Sequence, residues 1–510
     1  MLRPRLVSVA IVTTLVAVMA AVPAAYASSD LNDDGFDDLV VGVPNEDVSQ
    51  VSDAGAVNVL FGSDGGVTPR RDRLLNQGHL GSFVEEGDRT GNAITYGDFD
   101  NDGYDDVAIG SPTEDWRGER DAGVVHVMYG SSNGPRTGST QVLAQYGKMA
   151  GASEAGDFFG AVLESGDFND DGFDDLVIGV PGENIRGRVA AGAIVVAFGS
   201  ASGITTARSQ QLAQRGKIPG SSEDFDAFGA SLAVGDFNDD GHDDIVVGTP
   251  GEAIGSIENA GHVTVLFGRN SGVGKGDAKG FSQNGAVPGD SEEGDAFGSA
   301  VAAGDFNNDG FDDFAVGVPG EDTAAGEDVG TVVIFSGGPS GPAQENTRLI
   351  ESGGAIPGGT SVGEQFGSVL VSGDFDNDKS ADLAVGSPDR TVGSNERAGR
   401  VVVIQGADIT GLDTADSQSI TQDVLPGGSP QAGDGLGFAM RVGRFNGDGR
   451  DDLAVSSPFE DLKGKTDVGV VHIIYGSGAS LDVGTAQRIY QGASGVKGGA
   501  EVDDRFGQGL

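Results

Sequence analysis

A nine-residue acidic segment recurs seven times at an almost constant spacing, and this repeat limits what the chain can fold into. The copies begin at residues 30, 98, 167, 236, 305, 374 and 444, so consecutive starts lie 68 to 70 residues apart. The first copy reads Asp-Leu-Asn-Asp-Asp-Gly-Phe-Asp-Asp, and the others align with it without gaps. A fixed period is typical of repeat architectures, so the repeat is the folding unit rather than a globular domain of about 150 residues.

Each unit also carries short apolar runs that predict strands. The acidic segment is followed by a run such as Leu39–Val41 and then by Gly-x-Pro or a close variant; a second run, such as residues 57–62, ends in Gly. Phe-Gly precedes most acidic segments, as in Phe159-Gly160. Such runs between Gly, Pro and Asp favour strands, and no segment keeps a 3.6-residue period. Three or four strands in each of seven units predict an all-β, seven-bladed β-propeller.

The two ends of the repeat region complement each other. Residues 505–510 reproduce the Phe-Gly half of a unit, whereas Asp30 starts an acidic half. Counting from Arg444 to Leu510 and on through Ser28 to Asp30 gives 69 steps, one ordinary period. We therefore expect the N- and C-terminal segments to pair within one blade and close the ring, which removes the open sheet edges. On this interpretation residues 28–510 form a single propeller, with units starting near 30, 98, 167, 236, 305, 374 and 444.

The acidic segments have the composition of calcium loops. Side-chain oxygens occur at positions 1, 3, 5 and 9, and a main-chain carbonyl is available at position 7. Hard cations bind six to eight oxygens, and flexible carboxylate loops suit Ca²⁺ better than Mg²⁺. Gly at position 6 permits the positive φ that curls the chain around an ion. Several carboxylates crowded into one turn without a cation would repel one another, so we expect Ca²⁺ in these loops.

The seven loops differ in quality. Five keep every ligand position, which predicts about five strong calcium sites. The sixth has Lys379 in place of Gly, and because a non-Gly residue at positive φ costs about 1 kcal/mol, that site should be weakened. The seventh has Arg444 at position 1, and its guanidinium is expected to pair with Asp448 and Asp452 and replace the ion. The predicted ligands are Asp30, Asn32, Asp34, Phe36, Asp38, Asp98, Asp100, Asp102, Tyr104, Asp106, Asp167, Asn169, Asp171, Phe173, Asp175, Asp236, Asn238, Asp240, His242, Asp244, Asp305, Asn307, Asp309, Phe311, Asp313, Asp374, Asp376, Asp378 and Asp382.

Residues 1–27 have the order of a secretory signal peptide. Arg3 and Arg5 precede an apolar run from Leu6 to Val22, and Ala25-Tyr26-Ala27 supplies a cleavage site. We therefore expect a secreted, extracellular protein with no membrane span after cleavage; an uncleaved anchor is the alternative. The absence of Cys and of N-x-Ser/Thr sequons favours a bacterial source.

Charge and motif content narrow the functional classes. With 31 Lys plus Arg against 78 Asp plus Glu, the net charge is −47, which disfavours nucleic acids and anionic membranes as partners. The motifs of serine hydrolases, zinc proteases and nucleotide-binding loops are absent, and the constant spacing leaves no long insertion for an active site. We predict no catalytic residue, no organic cofactor and a monomeric protein that is not an enzyme.

The combination of Phe-Gly, the acidic loop and Gly-x-Pro resembles the FG-GAP repeats of integrin α-chain propellers and of glycosylphosphatidylinositol-specific phospholipase D. The resemblance covers residues 30–510 and implies Ca²⁺ in the loops of one face, with ligand binding on the other face. It implies a non-catalytic, cell-adhesion-type module for an unknown protein or glycan ligand. The alternatives are a calcium-dependent lectin, for which Trp116 would be the sugar-stacking residue, and a propeller hydrolase or lyase.

Overall fold

A computed structural model describes residues 29–510, except residues 275, 277, 410 and 494 and the side chain of residue 70. The predicted signal peptide therefore lies outside the described residues. The described chain forms 27 strands in seven antiparallel sheets, which confirms the predicted all-β, seven-bladed propeller. One short helix, α1 (Gln77–Leu80), and one 3₁₀ turn (Gln422–Val424) accompany them, and neither helix is long enough to cross a membrane.

The sheets follow one another along the chain. The first contains β1 (Leu39–Val43), β2 (Ala56–Phe61) and β3 (Thr68–Asn76); the second contains β4 (Ala93–Gly97), β5 (Asp106–Ser111), β6 (Val124–Met128) and β7 (Gln141–Leu143). The third contains β8 (Leu163–Gly166), β9 (Asp175–Val180), β10 (Ala193–Phe198) and β11 (Thr205–Leu212); the fourth contains β12 (Ser231–Gly235), β13 (Asp244–Thr249), β14 (His262–Leu266) and β15 (Ala278–Phe281). The fifth contains β16 (Val301–Gly304), β17 (Asp313–Val318), β18 (Thr331–Phe335) and β19 (Thr347–Glu351); the sixth contains β20 (Val369–Gly373), β21 (Asp382–Ser387), β22 (Arg400–Gln405) and β23 (Asp413–Ile420). The seventh contains β24 (Met440–Gly443), β25 (Asp452–Ser457), β26 (Val470–Ser477) and β27 (Ser480–Ile489).

Neighbouring sheets pack through their apolar faces. The first strands of consecutive four-stranded sheets contact each other in the order β4, β8, β12, β16, β20 and β24. β9 and β10, the second and third strands of the third sheet, are buried at every residue because both of their faces pack against neighbouring sheets. This double burial explains why these strands are continuous apolar runs rather than alternating patterns.

The C-terminal segment completes the three-stranded first sheet. The N–H of Gly42 in β1 donates to the carbonyl of Gly509 at 2.8 Å, and the N–H of Gly507 donates to the carbonyl of Gly42 at 2.9 Å. The second sheet forms the corresponding bond within its own unit, from Gly91 to Gly110. The predicted closure of the ring by the two end segments is thus confirmed.

The Phe-Gly and Gly-x-Pro motifs meet where one sheet packs on the next. A Cβ added to Gly110 would lie 2.1 Å from the carbonyl oxygen of Gly160, so only glycine allows this backbone approach. Phe228 is fully buried and forms a parallel bridge with Gly192. Thr90 and Leu436, which replace Phe in two units, form the same bridge with their own glycines, so the backbone contact does not depend on the aromatic ring.

The two sets of loops lie on opposite faces of the ring. In the six four-stranded sheets the acidic segments connect the first and second strands, whereas the segments after Gly-x-Pro connect the second and third strands. In the first sheet the C-terminal segment takes the place of the first strand, and the acidic segment leads into β1. Because the strands are antiparallel, these connections emerge at opposite ends of the sheets. We call them the acidic face and the opposite face.

Candidate metal sites

The acidic segments, named loops 1 to 7 in chain order, share one backbone curl. In loop 1 the carboxylate of Asp30 accepts hydrogen bonds from the N–H of Asp34 at 3.1 Å and of Gly35 at 2.7 Å. Position 6 has a positive φ in every loop, +88° at Gly35 and +84° at Lys379. The expected strain at Lys379 is therefore present, since a lysine occupies the conformation that favours glycine.

The position-9 carboxylate attaches each loop to its sheet. In loop 1, Asp38 accepts the N–H of Gly62 at 3.0 Å and the side-chain amide of Asn32 at 3.0 Å. Asp38 is 1% exposed, and burial raises its pKa to about 8. The same bond, to the glycine at the equivalent position of the other units, is made by Asp106, Asp175, Asp244, Asp313, Asp382 and Asp452.

Three carboxylates converge in two of the described loops. Oxygens of Asp98, Asp100 and Asp106 in loop 2 lie within 4.8 Å of one another, as do oxygens of the carboxylates at positions 1, 3 and 5 of loop 6. These are the loops with Asp at position 3, whereas loops 1, 3, 4 and 5 have Asn there. One buried oxygen of Asp100 has no hydrogen-bond donor. This all-oxygen set fits a hard divalent cation.

Position 5 is the most accessible of the predicted ligand positions. In loop 2 the carboxylate of Asp102 accepts the N–H of Tyr104 at 3.2 Å and pairs with Arg136 at 2.9 Å. In loop 4 the carboxylate of Asp240 accepts the N–H of His242 at 3.2 Å and lies 3.1 Å from the imidazole Nδ1 of the same residue. The backbone carbonyl at position 7 stays a predicted ligand.

Loop 7 differs from the expected ion pairing. The guanidinium of Arg444 pairs with Asp451 at 3.1 Å, while Asp448 lies 3.6 Å from Arg450. Asp452 keeps its position-9 role, bonded to the N–H of Gly476 at 3.0 Å. The side chain of Arg444 therefore points to position 8, a residue that the sequence interpretation had not used.

The residue at position 8 makes a contact between neighbouring loops that the sequence interpretation missed. Its carboxylate accepts the N–H of the position-1 residue in the preceding loop, as Asp174 does for Asp98 at 2.8 Å. Its own N–H donates back to the carbonyl of the same position-1 residue, at 3.3 Å in this pair. The ring repeats this contact in the pairs Asp30–Asp105, Asp167–Asp243, Asp236–Asp312, Asp374–Asp451 and Arg444–Asp37.

The exception at position 8 is Ala381 in loop 6. Its N–H donates to the carbonyl of Asp305 at 2.8 Å, but its side chain offers no acceptor. The recurrence of Asp at position 8 in six of seven loops was visible in the sequence. Its partner was not, because that partner lies 75 to 77 residues away along the chain in five pairs and 407 residues away in the pair Arg444–Asp37.

Comparison with known proteins identifies the repeat. The model of the FG-GAP repeat matches residues 23–60, 90–128, 159–196, 228–266, 297–335, 366–404 and 437–474. The chain belongs to the FG-GAP repeat family. The matched segments of this FG-GAP chain contain the Phe-Gly pairs, the acidic loops and the Gly-x-Pro runs of the repeat.

The FG-GAP chain is similar to parts of larger proteins. It is 32% identical to integrin alpha pat-2 of Caenorhabditis briggsae over 45% of this chain and 18% of that protein. It is 31% identical to integrin alpha-PS2 of Drosophila melanogaster over 45% of this chain and 15% of that protein. It is 33% identical to human phosphatidylinositol-glycan-specific phospholipase D over 36% of this chain and 21% of that protein. The match spans about a fifth or less of each relative.

Among solved structures, the fold is similar to the exotype rhamnogalacturonan lyase YesX. The TM-score is 0.35 at 10% identity, covering 93% of this chain and 91% of the lyase.

Proposed function

We propose that this chain is a secreted, calcium-binding FG-GAP propeller that acts as a non-catalytic binding or adhesion-type module. The observation that carries the proposal is the common curl of the acidic loops, which gathers carboxylate oxygens on one face. Its relatives include integrin α-chains, which supports an extracellular binding role. The relationship to a phospholipase D makes an enzyme the competing class, and catalytic assays must accompany the binding assays.

Each calcium ion would be held by the side chains at positions 1, 3, 5 and 9 and by the carbonyl at position 7. In loop 2 these residues are Asp98, Asp100, Asp102, Tyr104 and Asp106. A bound cation neutralises carboxylates that burial otherwise disfavours, such as Asp106, whose pKa rises to about 8. Because the ion binds the folded chain, each site adds about 1 kcal/mol at millimolar calcium if its Kd lies in the extracellular range.

The opposite face is the proposed ligand surface. Arg117, in the loop between β5 and β6, stacks over the ring of Tyr146 with its guanidinium carbon 3.7 Å from the ring centroid. Tyr146 is 55% exposed and Phe83, on the same face, is 84% exposed. Exposed aromatic and arginine side chains are the residue types that anchor partners at interfaces.

Calcium titration of the purified chain tests the metal part of the proposal. We expect saturable calcium binding, a rise in the thermal midpoint and a loss of both in chelator. Asp98→Asn combined with Asp100→Asn should remove one ion, whereas Asp416→Asn on the exposed face of β23 should remove none. A chain that binds no calcium at millimolar concentration would refute this part.

Ligand screening tests the binding part. A glycan array and a panel of extracellular proteins are probed with the chain in millimolar calcium and again in chelator. The opposite face is supported as the ligand surface if Tyr146→Ala or Arg117→Ala abolishes binding of a ligand. An acidic-face variant such as Arg136→Ala should still bind that ligand. Turnover of a phosphodiester or polysaccharide substrate by the folded chain would instead establish an enzyme.

A calcium-dependent lectin is the second candidate, and one groove favours it. A cavity of about 670 Å³ beside loop 4 is lined by Lys217, Arg269, Lys279 and Phe267, together with Asp240 of the loop itself. Cations beside an aromatic ring suit a carboxylated or sulfated sugar, and they are uncommon on a chain with a net charge of −47. Binding of polygalacturonate that Lys217→Ala weakens would favour this candidate.

Trp116, the residue expected to stack on a sugar in a lectin, is only partly buried, and its indole N–H has no acceptor.

A further inference from the structure

Buried carboxyl groups face each other between neighbouring sheets on the opposite face. In each pair, the Glu follows the Gly-x-Pro motif of one sheet. The Asp lies in the segment that leads from the preceding sheet into that sheet. None of these twelve residues is more than 8% exposed. The six acid pairs are Glu46–Asp504, Glu114–Asp88, Glu183–Asp157, Glu252–Asp226, Glu321–Asp295 and Glu460–Asp434.

The hydrogen bonds around each acid pair are nearly the same. The Asp accepts a backbone N–H three residues earlier, as Asp88 does from Glu85 at 2.8 Å. The Glu accepts the side-chain amide of a buried Gln, as Glu114 does from Gln77 at 2.5 Å. The corresponding amide bonds reach Glu183 at 2.7 Å, Glu321 at 2.6 Å, Glu460 at 2.6 Å and Glu46 at 2.9 Å.

These donors do not satisfy every carboxyl oxygen. Buried oxygens of Asp157, Asp295 and Glu252 have no hydrogen-bond donor. Two buried carboxylates that face each other without a donor between them repel, and a single proton removes both the repulsion and the missing donor.

The remaining junction, between the fifth and sixth sheets, shows the other solution. Here Arg390 takes the place of the Glu, and Glu364 takes the place of the Asp. The carboxylate of Glu364 pairs with both Arg390 and Arg400, and Arg400 also donates to Ser352 at 3.0 Å. Guanidinium groups therefore neutralise the buried carboxylate at this junction. At most of the other junctions, no described guanidinium group pairs with the buried carboxyl groups.

We infer that the six acid pairs each hold a shared proton at neutral pH, so that the opposite face of the ring is closed by proton binding. When the proton leaves, two buried like charges push adjacent sheets apart. The ring is then tighter in acid than in alkali. This inference concerns the folded chain alone and depends on neither calcium nor a ligand, so it can fail independently of the proposed function.

The surroundings of three pairs favour the protonated form. Burial raises the pKa of Glu114 to about 8 and those of Glu252 and Glu321 to about 7, from an ordinary value of 4.5. Arg188 is a cation that lies near Asp226. The acidic neighbours are Glu85, Glu223, Asp224, Asp290, Glu292, Asp322 and Asp328. Pairs with a nearby cation include Glu460, which Arg488 contacts at 2.8 Å, and they should titrate less steeply.

The sign of the pH dependence follows from these shifts. The pKa values of Glu114, Glu252 and Glu321 are raised on folding, so the contribution of these residues to stability is complete below about pH 4.5 and is lost as pH rises through about 7 to 8. At pH 6 the unfolded chain has released these protons, whereas the folded chain retains about one per pair. Folding at pH 6 should therefore take up protons.

The test compares a triple variant with a matched control. Glu114→Gln, Glu252→Gln and Glu321→Gln together mimic the protonated state; Glu258→Gln, Glu345→Gln and Glu351→Gln change three exposed glutamates. We expect the first variant to take up about three fewer protons on folding at pH 6 than the wild type, and the control about the same number as the wild type. The urea concentration at the unfolding midpoint of the first variant should also rise relative to that of the wild type as the pH increases from 6 to 8.

Equal proton uptake and parallel pH profiles for the two variants would overturn the inference. If the triple variant fails to fold, infrared spectroscopy of the wild-type chain decides instead. A carboxylic-acid C=O band at pH 7 in millimolar calcium is expected, and its absence would equally overturn the inference.

Discussion

The carboxylate of Asp174 accepts the backbone N–H of Asp98 at 2.8 Å, and the backbone N–H of Asp174 returns a bond to the carbonyl of Asp98 at 3.3 Å. These two residues belong to loops 3 and 2, so the reciprocal contact joins neighbouring sheets on the acidic face. Asp174 is half-buried, and this burial raises its pKa. The contact orients position 1, the first proposed calcium ligand, through the sheet that follows it.

Asp174→Ala should therefore destabilise the ring. The substitution leaves the N–H of Asp98 without an acceptor in a half-buried location, which costs about 1–3 kcal/mol. Urea unfolding measures the loss, and calcium titration should show weaker binding in loop 2 than in loop 4, whose Asp236 keeps its contact with Asp312. Asp416→Ala, at an exposed position of β23, is the control and should change stability by less than about 0.5 kcal/mol. Equal effects of the two substitutions would show that the reciprocal contact adds nothing.

Glu364→Gln should be the most damaging glutamate substitution on the opposite face. Glu364 is completely buried between the guanidinium groups of Arg390 and Arg400, and burial lowers the pKa of Arg400 to about 10. Removing the charge leaves two cations without a counterion, and breaking a buried ion pair in this way costs roughly 3–5 kcal/mol. Urea unfolding at pH 7 provides the measurement.

The matched comparison for Glu364→Gln is Glu321→Gln in the adjacent junction. The same chemical change there removes a carboxyl group whose charged neighbours are Asp290, Glu292 and Asp295. Glu364→Gln should lower the unfolding midpoint at every pH between 6 and 8, whereas Glu321→Gln should become relatively favourable as pH rises. Two variants with the same sign at pH 8 would contradict the distinction between the two kinds of junction.

The fold was predictable because its determinants are local and repeated. Gly-x-Pro, Phe-Gly and the acidic segment each specify a turn or a strand end. Seven copies of these motifs at a constant spacing predict a closed ring of seven sheets. The closure at Gly42 and Gly509 followed from counting residues within one period. The curl of the loops was equally local, since the N–H groups of Asp34 and Gly35 that bond to the Asp30 carboxylate lie within five residues of it.

The contacts between units were not predictable from one sequence. Asp174 and Asp98 lie 76 residues apart, and Gln77 and Glu114 lie 37 apart, so no local pattern relates them. The sequence predicts that Arg444 replaces the calcium ion by pairing with Asp448 at position 5 and Asp452 at position 9. In the structure its guanidinium contacts Asp451 at position 8. Backbone bonds hold position 8 in place, and that constraint is visible only once adjacent sheets are packed.

Lys379→Gly should raise the calcium affinity of loop 6. Lys379 has a φ of +84°, a conformation that costs a non-glycine residue about 1 kcal/mol. Glycine removes this strain and also removes a positive charge next to the carboxylates of Asp374 and Asp378. Calcium titration should show one site tightening by several-fold while the total number of sites is unchanged. Lys463→Gly, at a positive φ on the opposite face, is the control and should leave calcium affinity unaltered.

Phe506→Ala should show that the ring depends on its C-terminal segment. Phe506 is fully buried against the first and seventh sheets, together with Leu39, Val471 and Leu510. Removing its ring leaves a cavity at the junction that joins the two chain ends, and such truncations cost about 3–5 kcal/mol. Phe83→Ala is the matched control, because 84% of Phe83 is exposed and its loss should be almost neutral. The two variants are compared by thermal unfolding and by hydrogen exchange of β1. A stable Phe506→Ala chain with unchanged protection in β1 would mean that the ring holds together without the closure.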